Sequence, residues 1–169
     1  IDPFLAVSAS EAEALYEHFR LLLQWNRRLN LTSIRDEQEA VVRHYCESLF
    51  LASYLPLNGA TVVDIGSGGG FPGVPAAIVR PAVSFTLVES HQRKAVFLRE
   101  STRALANVRV FSRRAEELDE SFDWCVSRGV SAEDLSGPLR SVARRYAILA
   151  GEDFFPTPQE AYRLPWGDR

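Results

Sequence analysis

The chain has 169 residues and a formal net charge of −3, with 46% hydrophobic and 24% charged residues, which predicts one compact globular domain. It contains no run of about 20 apolar residues and no basic segment followed by an apolar core, so neither a membrane span nor a signal peptide is indicated, and we expect a cytoplasmic protein. The negative charge argues against a protein that wraps nucleic acid over its whole surface, although a local basic face can still bind phosphates.

Two helices are predicted in the first third of the chain. The first runs from Ser10 to about Asn30, with apolar residues at helical spacing, and Ser10 with Glu13 forms a Ser-x-x-Glu capping box. The second begins near Asp36 and ends before Pro56. We interpret these helices as an N-terminal extension.

Beyond the extension, short apolar runs alternate with helical segments. Strands are predicted at Thr61–Ile65, Phe85–Val88, Val108–Phe111, Asp123–Val126 and Tyr146–Leu149, with a further short strand at Ala161–Leu164. Helices are predicted over residues 73–80, 91–105 and 133–145. This alternation indicates an α/β fold with a doubly wound, mostly parallel sheet covered on both faces. We therefore predict a single domain over 1–169, with helices in 1–56 and an α/β core in 57–169 whose C-terminal strand is incomplete.

Cysteine and histidine usage gives no sign of a metal centre. Cys46 and Cys125 lie in apolar segments and not at metal-ligand or disulfide-framework spacing, which indicates buried thiols in a reducing compartment. The three histidines (His18, His44 and His91) are scattered and have no partner cysteines. We expect no bound metal.

A glycine-rich turn follows the first strand of the core. Its glycines are Gly66, Gly68, Gly69 and Gly70. In a doubly wound fold the chain turns here from strand to helix, and glycines let a ligand lie against bare backbone. Glu89 follows the second strand, where a carboxylate can accept both hydroxyls of a ribose. A glycine turn alone would also suit a purely structural role, but its place between strand and helix, with an acid after the next strand, predicts a nucleotide-type ligand.

The spacing of the glycines distinguishes between nucleotide cofactors. Dinucleotide enzymes prefer Gly-x-Gly-x-x-Gly, whereas this loop reads Asp64-Ile-Gly-Ser-Gly-Gly-Gly70. An acid two residues before the first glycine resembles motif I of S-adenosylmethionine-dependent methyltransferases. A reductase would also want a proton donor such as a Tyr-x-x-x-Lys pair, and the only lysine, Lys94, has Ser90 in that place. The candidate cofactor-binding residues of this segment are Asp64, Gly66, Gly68, Gly70 and Glu89.

Motifs spread over nearly the whole chain resemble those of one family. They are Trp25-Asn26 with Asn30-Leu-Thr32, Arg43-His44 with Ser48-Leu49, Gly66-Ser-Gly-Gly-Gly-Phe-Pro-Gly73, Lys94-Ala-Val-Phe-Leu-Arg-Glu100, Arg114-Ala-Glu-Glu117, Ser127-Arg128 and Tyr162-Arg-Leu-Pro165. Together they resemble the small-subunit ribosomal RNA guanine-N7 methyltransferases known as RsmG, or glucose-inhibited division protein B. The resemblance implies an S-adenosylmethionine-dependent enzyme that methylates guanine N7 in the 530-loop region of 16S ribosomal RNA. Its expected partner is 16S ribosomal RNA or the small ribosomal subunit, and we expect a monomer.

The resemblance also implies roles for individual residues. Gly66 and Phe71 would line the cofactor, although Phe71 would also suit the core. Ala115 and Glu116 would face the adenine, and Arg128 would reach the methyl-transfer end of the pocket. Ala115 and Glu116 follow the third predicted strand and Arg128 follows the fourth, so all three belong to the carboxyl edge, where open α/β sheets bind ligands.

Asn30 and Arg43 are candidate catalytic residues together with Arg128. We expect the polar groups of Asn30-Leu-Thr32 and Arg43-His44, which lie beside apolar helices, to face the nearby cofactor loop or the RNA. Asn30 would also suit a cap or a turn, and Arg43 a solvated helix surface. Guanine N7 carries an exposed in-plane lone pair, so it can attack a sulfonium methyl without first losing a proton. No general base is then required, and catalysis rests on holding N7 and the methyl group in line.

The basic residues leave the mode of RNA binding open. Arginine supplies 18 of the 19 basic side chains, and four of them cluster in the predicted N-terminal helices: Arg27, Arg28, Arg35 and Arg43. This cluster either binds phosphates or forms a solvated surface. Two further functions also stay open: a methyltransferase acting on a small molecule or a protein, and a non-catalytic module that binds S-adenosylmethionine or RNA.

Overall fold

The computed structural model describes residues 6–131 and 142–151, together with Tyr162 and Leu164. Its helices are α1 (Ala9–Asn26), α2 (Glu37–Ala40), α3 (Glu47–Ser53), α4 (Gly73–Val79) and α5 (Gln92–Ser101). Its strands are β1 (Thr61–Ile65), β2 (Ser84–Val88), β3 (Val108–Phe111), β4 (Phe122–Arg128) and β5 (Ala143–Leu149). The predicted strand Ala161–Leu164 falls largely outside the described residues.

Helix α1 begins earlier than its sequence pattern predicts. Ser8 is the N-cap: its Oγ accepts a hydrogen bond from Glu11 N at 3.3 Å, and Glu11 Oε2 accepts one from Ser8 N at 2.7 Å. The capping box predicted at Ser10 and Glu13 is therefore wrong. Ser8 and Glu11 have the same spacing, and they stand where the backbone changes from extended to helical.

Helix α1 also ends earlier, at Asn26 and not near Asn30. Asn26 Oδ1 accepts hydrogen bonds from the backbone N–H groups of Leu31 at 2.9 Å and Thr32 at 3.0 Å. Asn26 Nδ2 donates to the Thr32 carbonyl at 3.0 Å. These three bonds stabilise a turn that competes with further helix, so Asn26 fixes the position of Thr32.

The second predicted helix is confirmed as a helical run that contains one wide turn. Asp36 is its N-cap, because Asp36 Oδ1 accepts a hydrogen bond from Glu39 N at 2.7 Å. Between α2 and α3 the residues Val41–Cys46 form a π-helical turn. The apolar spacing did not predict this turn, which is of a kind that is frequent at functional sites.

The five described strands form one parallel sheet, as predicted. Their order is β3-β2-β1-β4-β5, and every neighbouring pair is parallel. The chain winds outward from β1 through β2 to β3 and then returns to place β4 on the other side of β1. The doubly wound α/β fold is therefore confirmed, with its topological switch point between β1 and β4.

The faces of the sheet are covered differently. Alternate residues of a strand point to opposite faces. Accordingly, Val62 packs in the core cluster that includes α1, α3 and α4, whereas Val63 packs in the cluster that includes Ala115 and Val142. The N-terminal helices thus lie on the same face as α4, which begins directly after the glycine loop.

Several predicted boundaries and one burial prediction need correction. Ladder pairing with β4 extends β5 back to Ala143, so the predicted helix 133–145 is wrong at its last three residues; residues 132–141 lie outside the described residues. Helix α5 ends at Ser101 and not near residue 105. Cys125 is buried as predicted, whereas Cys46, at the end of the π-helical turn, is only half-buried.

Candidate active site

The glycine loop joins β1 to α4 at the carboxyl edge of the sheet. Gly66 and Gly68 have φ values of 73° and 52°, in the left-handed region that favours glycine. A Cβ at Gly66 would lie 2.5 Å from Val130 Cγ2, whereas a Cβ at Gly68 would meet nothing closer than Gly66 O at 3.7 Å. Gly68 therefore presents bare backbone to open space, where a ligand can approach.

Glu89 follows β2, and its carboxylate contacts the glycine loop. Glu89 Oε2 accepts a hydrogen bond from Gly68 N at 3.0 Å, and Oε1 accepts one from His91 N at 2.7 Å. The residue is 8% exposed. Because each carboxylate oxygen can accept more than one hydrogen bond, both retain capacity for a further donor such as a sugar hydroxyl. The sequence predicted the place of Glu89 but not that it also binds the loop.

Asp64 lies beneath the loop and is completely buried. Its Oδ2 accepts a hydrogen bond from Gly73 N at 3.0 Å, and a Cβ at Gly73 would lie 2.5 Å from the same oxygen. Burial raises the pKa of Asp64 to about 7, against the opposing effect of its hydrogen bonds. In this arrangement Asp64 determines where α4 begins, and its carboxyl group has no surface exposed to solvent.

Phe71 connects the loop to the N-terminal helices. Its ring stacks on His44, with centroids 4.5 Å apart and planes at 15°. It meets the rings of His18 and Tyr45 edge-on, at 5.3 Å and 5.1 Å. Only 6% of Phe71 is exposed, which favours the alternative that its ring packs in the core.

Arg128 ends β4 and contacts two residues of the N-terminal helices. Its Nη1 donates a hydrogen bond to His44 Nδ1, and its Nη2 lies 3.4 Å from Glu47 Oε2. The Arg128 side chain is 18% exposed. Burial lowers its pKa and the charge of Glu47 opposes that effect, but a guanidinium remains charged in proteins. A partly buried cation therefore stands beside the switch point, at the carboxyl end of β4.

His44 joins Arg128 to the turn after α1. Its Nε2 lies 2.7 Å from Thr32 Oγ1. Since Nδ1 accepts from Arg128, a neutral imidazole carries its proton on Nε2 and donates it to Thr32. Burial, and then the charge of Arg128, lower the pKa of His44 to about 3, so the ring is neutral at neutral pH.

Sequence reasoning chose none of His44, Thr32 and Glu47 as a catalytic residue, although it expected the motifs Asn30-Leu-Thr32 and Arg43-His44 to face the cofactor loop. Two of them stand inside quoted motifs, His44 next to Arg43 and Thr32 two residues after Asn30. The sequence feature that could have indicated His44 and Thr32 was therefore each motif as a whole, because no spacing rule identifies the one residue of a motif whose side chain points inward. No motif or spacing in the sequence indicated Glu47 as a site residue.

Asn30 and Arg43 lie farther out than the residues beside them. Asn30 is exposed, and the side chain of Asn26 binds the backbone of the turn that follows it. Arg43 lies 3.6 Å from Glu39 and 3.9 Å from Glu47, and its side chain is 43% exposed. Glu47 thus lies between Arg43 and Arg128 and forms an ion pair with each of them.

Ala115 and Glu116 follow β3 in the short 3-10 turn Ala115–Glu117. Ala115 is buried in the cluster that contains Ile65 and Val88, the last residues of β1 and β2, whereas Glu116 is exposed. The turn therefore lies at the carboxyl edge, as predicted.

The described residues contain neither a metal-ligand cluster nor a membrane-spanning helix. No set of three or more His, Cys, Asp or Glu side chains there is arranged to hold a metal ion. No helix in those residues combines the length and the hydropathy needed to span a bilayer.

Comparison with known proteins gives a consistent result. The family model GidB, described as rRNA small subunit methyltransferase G, matches residues 11–137. The chain is 43% identical over 129 residues to ribosomal RNA small subunit methyltransferase G of Xanthomonas campestris pv. campestris (strain B100), a match that covers 74% of this chain and 60% of that protein. The protein of the same name from Dichelobacter nodosus (strain VCS1703A) is 45% identical over 129 residues, covering 74% of this chain and 61% of that protein. The chain therefore spans about 60% of the length of these curated relatives.

The fold has solved counterparts. A SAM dependent methyltransferase from Aquifex aeolicus superposes with a TM-score of 0.55 at 20% sequence identity, covering 75% of this chain and 77% of that chain. This likeness concerns the arrangement of the sheet and its helices.

Proposed function

Because the chain belongs to the rRNA small subunit methyltransferase G family, we propose that it binds S-adenosylmethionine at the glycine loop and transfers the methyl group to guanine N7 of 16S ribosomal RNA. The observation that carries this proposal is the open backbone at Gly68 beside the Glu89 carboxylate. Both lie at the carboxyl edge of the sheet, next to its switch point, where folds of this class bind nucleotide ligands.

The residues at this edge suit the parts of the cofactor. Glu89 retains capacity to accept the ribose hydroxyls, and Gly68 offers backbone to which a ligand can come close, whereas Val130 fills that space beside Gly66. The 3-10 turn with Ala115 and Glu116 is the candidate contact for the adenine. Asp64 supports this surface from below, because it holds the start of α4 through Gly73.

The chemistry requires positioning and no general base. The bound cofactor supplies a methyl group on a positively charged sulfur, and guanine N7 already has a free lone pair. The contribution of the chain is to orient the base and to exclude other approaches. Arg128 has N–H donors beyond those that contact His44 and Glu47, and they are suited to orient the acceptor through guanine O6 or a phosphate.

We further propose that the protein acts in the cytoplasm as a monomeric single domain on 16S ribosomal RNA or on the small subunit. The relatives are named for small-subunit ribosomal RNA, which supports the RNA partner in this proposal.

A methyl-transfer assay with tritiated cofactor tests the function. Small ribosomal subunits, free 16S RNA and a cell extract, all from a strain lacking the enzyme, are offered in parallel, with Gly68→Val as the inactive control. We expect label in ribosomal RNA, and chain cleavage at one guanine after borohydride and aniline treatment, because N7-methylation weakens the glycosidic bond. Label only in protein or small molecules contradicts the RNA substrate. Cofactor binding without any transfer indicates a binding module.

RNA binding has its own test. Arg27 and Arg28 are exposed at the end of α1 and form no side-chain ion pair among the described residues, whereas Arg20 on the same helix is paired with Glu17 at 2.7 Å. The double substitution Arg27→Ala with Arg28→Ala is expected to weaken RNA binding and to flatten its dependence on log salt by about 1.5 units, for two lost phosphate contacts. Cofactor affinity stays unchanged. Arg20→Ala is the matched control, and an equal effect of both variants would argue against specific phosphate contacts.

A further inference from the structure

One chain of side-chain contacts links the N-terminal helices to the end of β4. Thr32 contacts His44, His44 accepts a hydrogen bond from Arg128, and Arg128 lies against Glu47. We propose that His44 is a positioning residue for methyl transfer, which holds the Arg128 guanidinium at the reacting end of the site. The inference rests on the function proposed above and deepens it.

The orientation of the His44 ring is determined from several sides. Thr32 Oγ1 binds its Nε2 at 2.7 Å, Arg128 binds its Nδ1, and Phe71 of the glycine loop stacks on its face. Ser48 Oγ donates to the His44 backbone carbonyl. The residue is 6% exposed. A ring held in this way offers one acceptor atom in one direction, and that atom points to Arg128.

Thr32 itself is held in place. Asn26 binds its backbone N–H and its carbonyl at 3.0 Å each, and Thr32 Oγ1 also accepts from Ile34 N at 3.1 Å. The Thr32 hydroxyl is therefore a fixed partner for His44 Nε2. Because a guanidinium can only donate, Arg128 selects the imidazole tautomer with Nδ1 as acceptor, and the fixed Thr32 hydroxyl then accepts the Nε2 proton.

Two acceptors from one helical run bind the same guanidinium. His44 lies on the π-helical turn and Glu47 begins α3, and they meet different nitrogens of Arg128. A long side chain loses much rotamer freedom when it is ordered. The protein orders Arg128 before the RNA substrate binds, so the entropy cost of ordering this side chain does not add to the barrier of methyl transfer. Loss of His44 should therefore lower the turnover number more than the affinity for cofactor.

The charges around His44 also require a neutral acceptor. Arg128 faces it from β4, Arg43 and Glu47 belong to its own helical run, and His18 lies on α1. A protonated imidazole would place an N–H donor and a positive charge against the Arg128 guanidinium. The contact therefore exists only with the neutral ring.

A pair of amide variants separates the two ring nitrogens. The polar atoms of Asn stand two bonds from Cβ, as Nδ1 does, whereas those of Gln stand three bonds away, as Nε2 does. His44→Asn can therefore supply an acceptor to Arg128, and His44→Gln can supply only a partner to Thr32. Both variants remove the aromatic ring and its stacking on Phe71, so each controls for that loss in the other.

The measurements are turnover number, KM for cofactor and for ribosomal subunits, and melting temperature. We expect His44→Gln to lower the turnover number by about 10- to 150-fold, the range for one hydrogen bond to a charged group, and to change the KM for cofactor less than threefold. His44→Asn should restore at least a tenth of the lost turnover at the same melting temperature. Equal activity of the two variants, or a loss that follows the melting temperature, overturns the inference.

A readout without activity separates this inference from the proposed function. In nitrogen-15 NMR spectra, His44 should remain the neutral tautomer with its proton on Nε2 down to pH 5, and Arg128→Leu should shift its Nδ1 resonance. A ring that carries its proton on Nδ1, or that does not respond to Arg128→Leu, overturns the inference whatever the activity. If the NMR result is as expected but the wild-type protein methylates no ribosomal RNA, the hold on Arg128 is supported and the proposed function fails.

Discussion

Replacing Glu89 by glutamine exchanges one carboxylate oxygen for an amide nitrogen at the centre of the candidate cofactor site. Its carboxylate accepts hydrogen bonds from Gly68 N at 3.0 Å and from His91 N at 2.7 Å. A glutamine of almost the same shape has one carbonyl oxygen and one amide group. It can therefore accept from one of these backbone donors while its amide faces the other.

The magnitude follows from this mismatch. These hydrogen bonds are part-buried, and a hydrogen bond to a charged acceptor contributes about 1.5–3 kcal/mol. For a chain of this size, a loss of about 2 kcal/mol in the free energy of unfolding lowers the melting temperature by roughly 4–8 °C. The ribose hydroxyls lose the same charged acceptor, worth about 1.5–3 kcal/mol, so affinity for S-adenosylmethionine should fall about 10- to 150-fold.

Calorimetric titration with cofactor and urea denaturation measure the two effects separately. Glu100→Gln is the matched control, because Glu100 is an exposed acid on α5. Lower stability with unchanged cofactor affinity would limit Glu89 to holding the loop. If Glu89→Gln changed neither quantity, the reasoning from these hydrogen bonds would be refuted.

Two further predictions concern the loop and the buried titratable groups. Gly68→Val should abolish cofactor binding while the sheet stays folded. The valine side chain would enter the open space proposed for the cofactor, at a φ of 52° that valine disfavours by about 1–2 kcal/mol. Intact cofactor binding in calorimetry would mean that the loop is only structural. Burial lowers the pKa of His18 to about 4 and that of His44 to about 3. Between pH 4 and 6.5 the unfolded chain therefore binds more protons at these histidines than the folded protein does, and the free energy of unfolding falls as pH is lowered. Asp64, with its pKa raised to about 7, has the opposite effect on the free energy of unfolding. His44→Asn should therefore reduce the slope of unfolding free energy against pH near pH 5 by up to about 1.4 kcal/mol per unit, and an unchanged slope in urea titrations would show that His44 titrates alike in both states.

Much of the fold was predictable because its signals are local. Buried parallel strands read as short apolar runs, and strand β1 has the predicted bounds Thr61–Ile65. The boundaries that failed depend on partners elsewhere: Asn26 ends α1 through bonds to the following turn, and pairing with β4 extends β5 back to Ala143. Apolar spacing contains no information about such partners.

The candidate site divides in the same way. The glycine loop and Glu89 could be located from the sequence, because the order of strands in a doubly wound sheet brings their carboxyl ends together. The contact between Arg128 and His44 joins residues 84 positions apart in the chain, and it depends on the packing of the N-terminal helices on the face of the sheet that carries α4. Only the tertiary structure decided that His44 turns inward, because side-chain direction at that position is set by the π-helical turn and by the partners on each ring nitrogen.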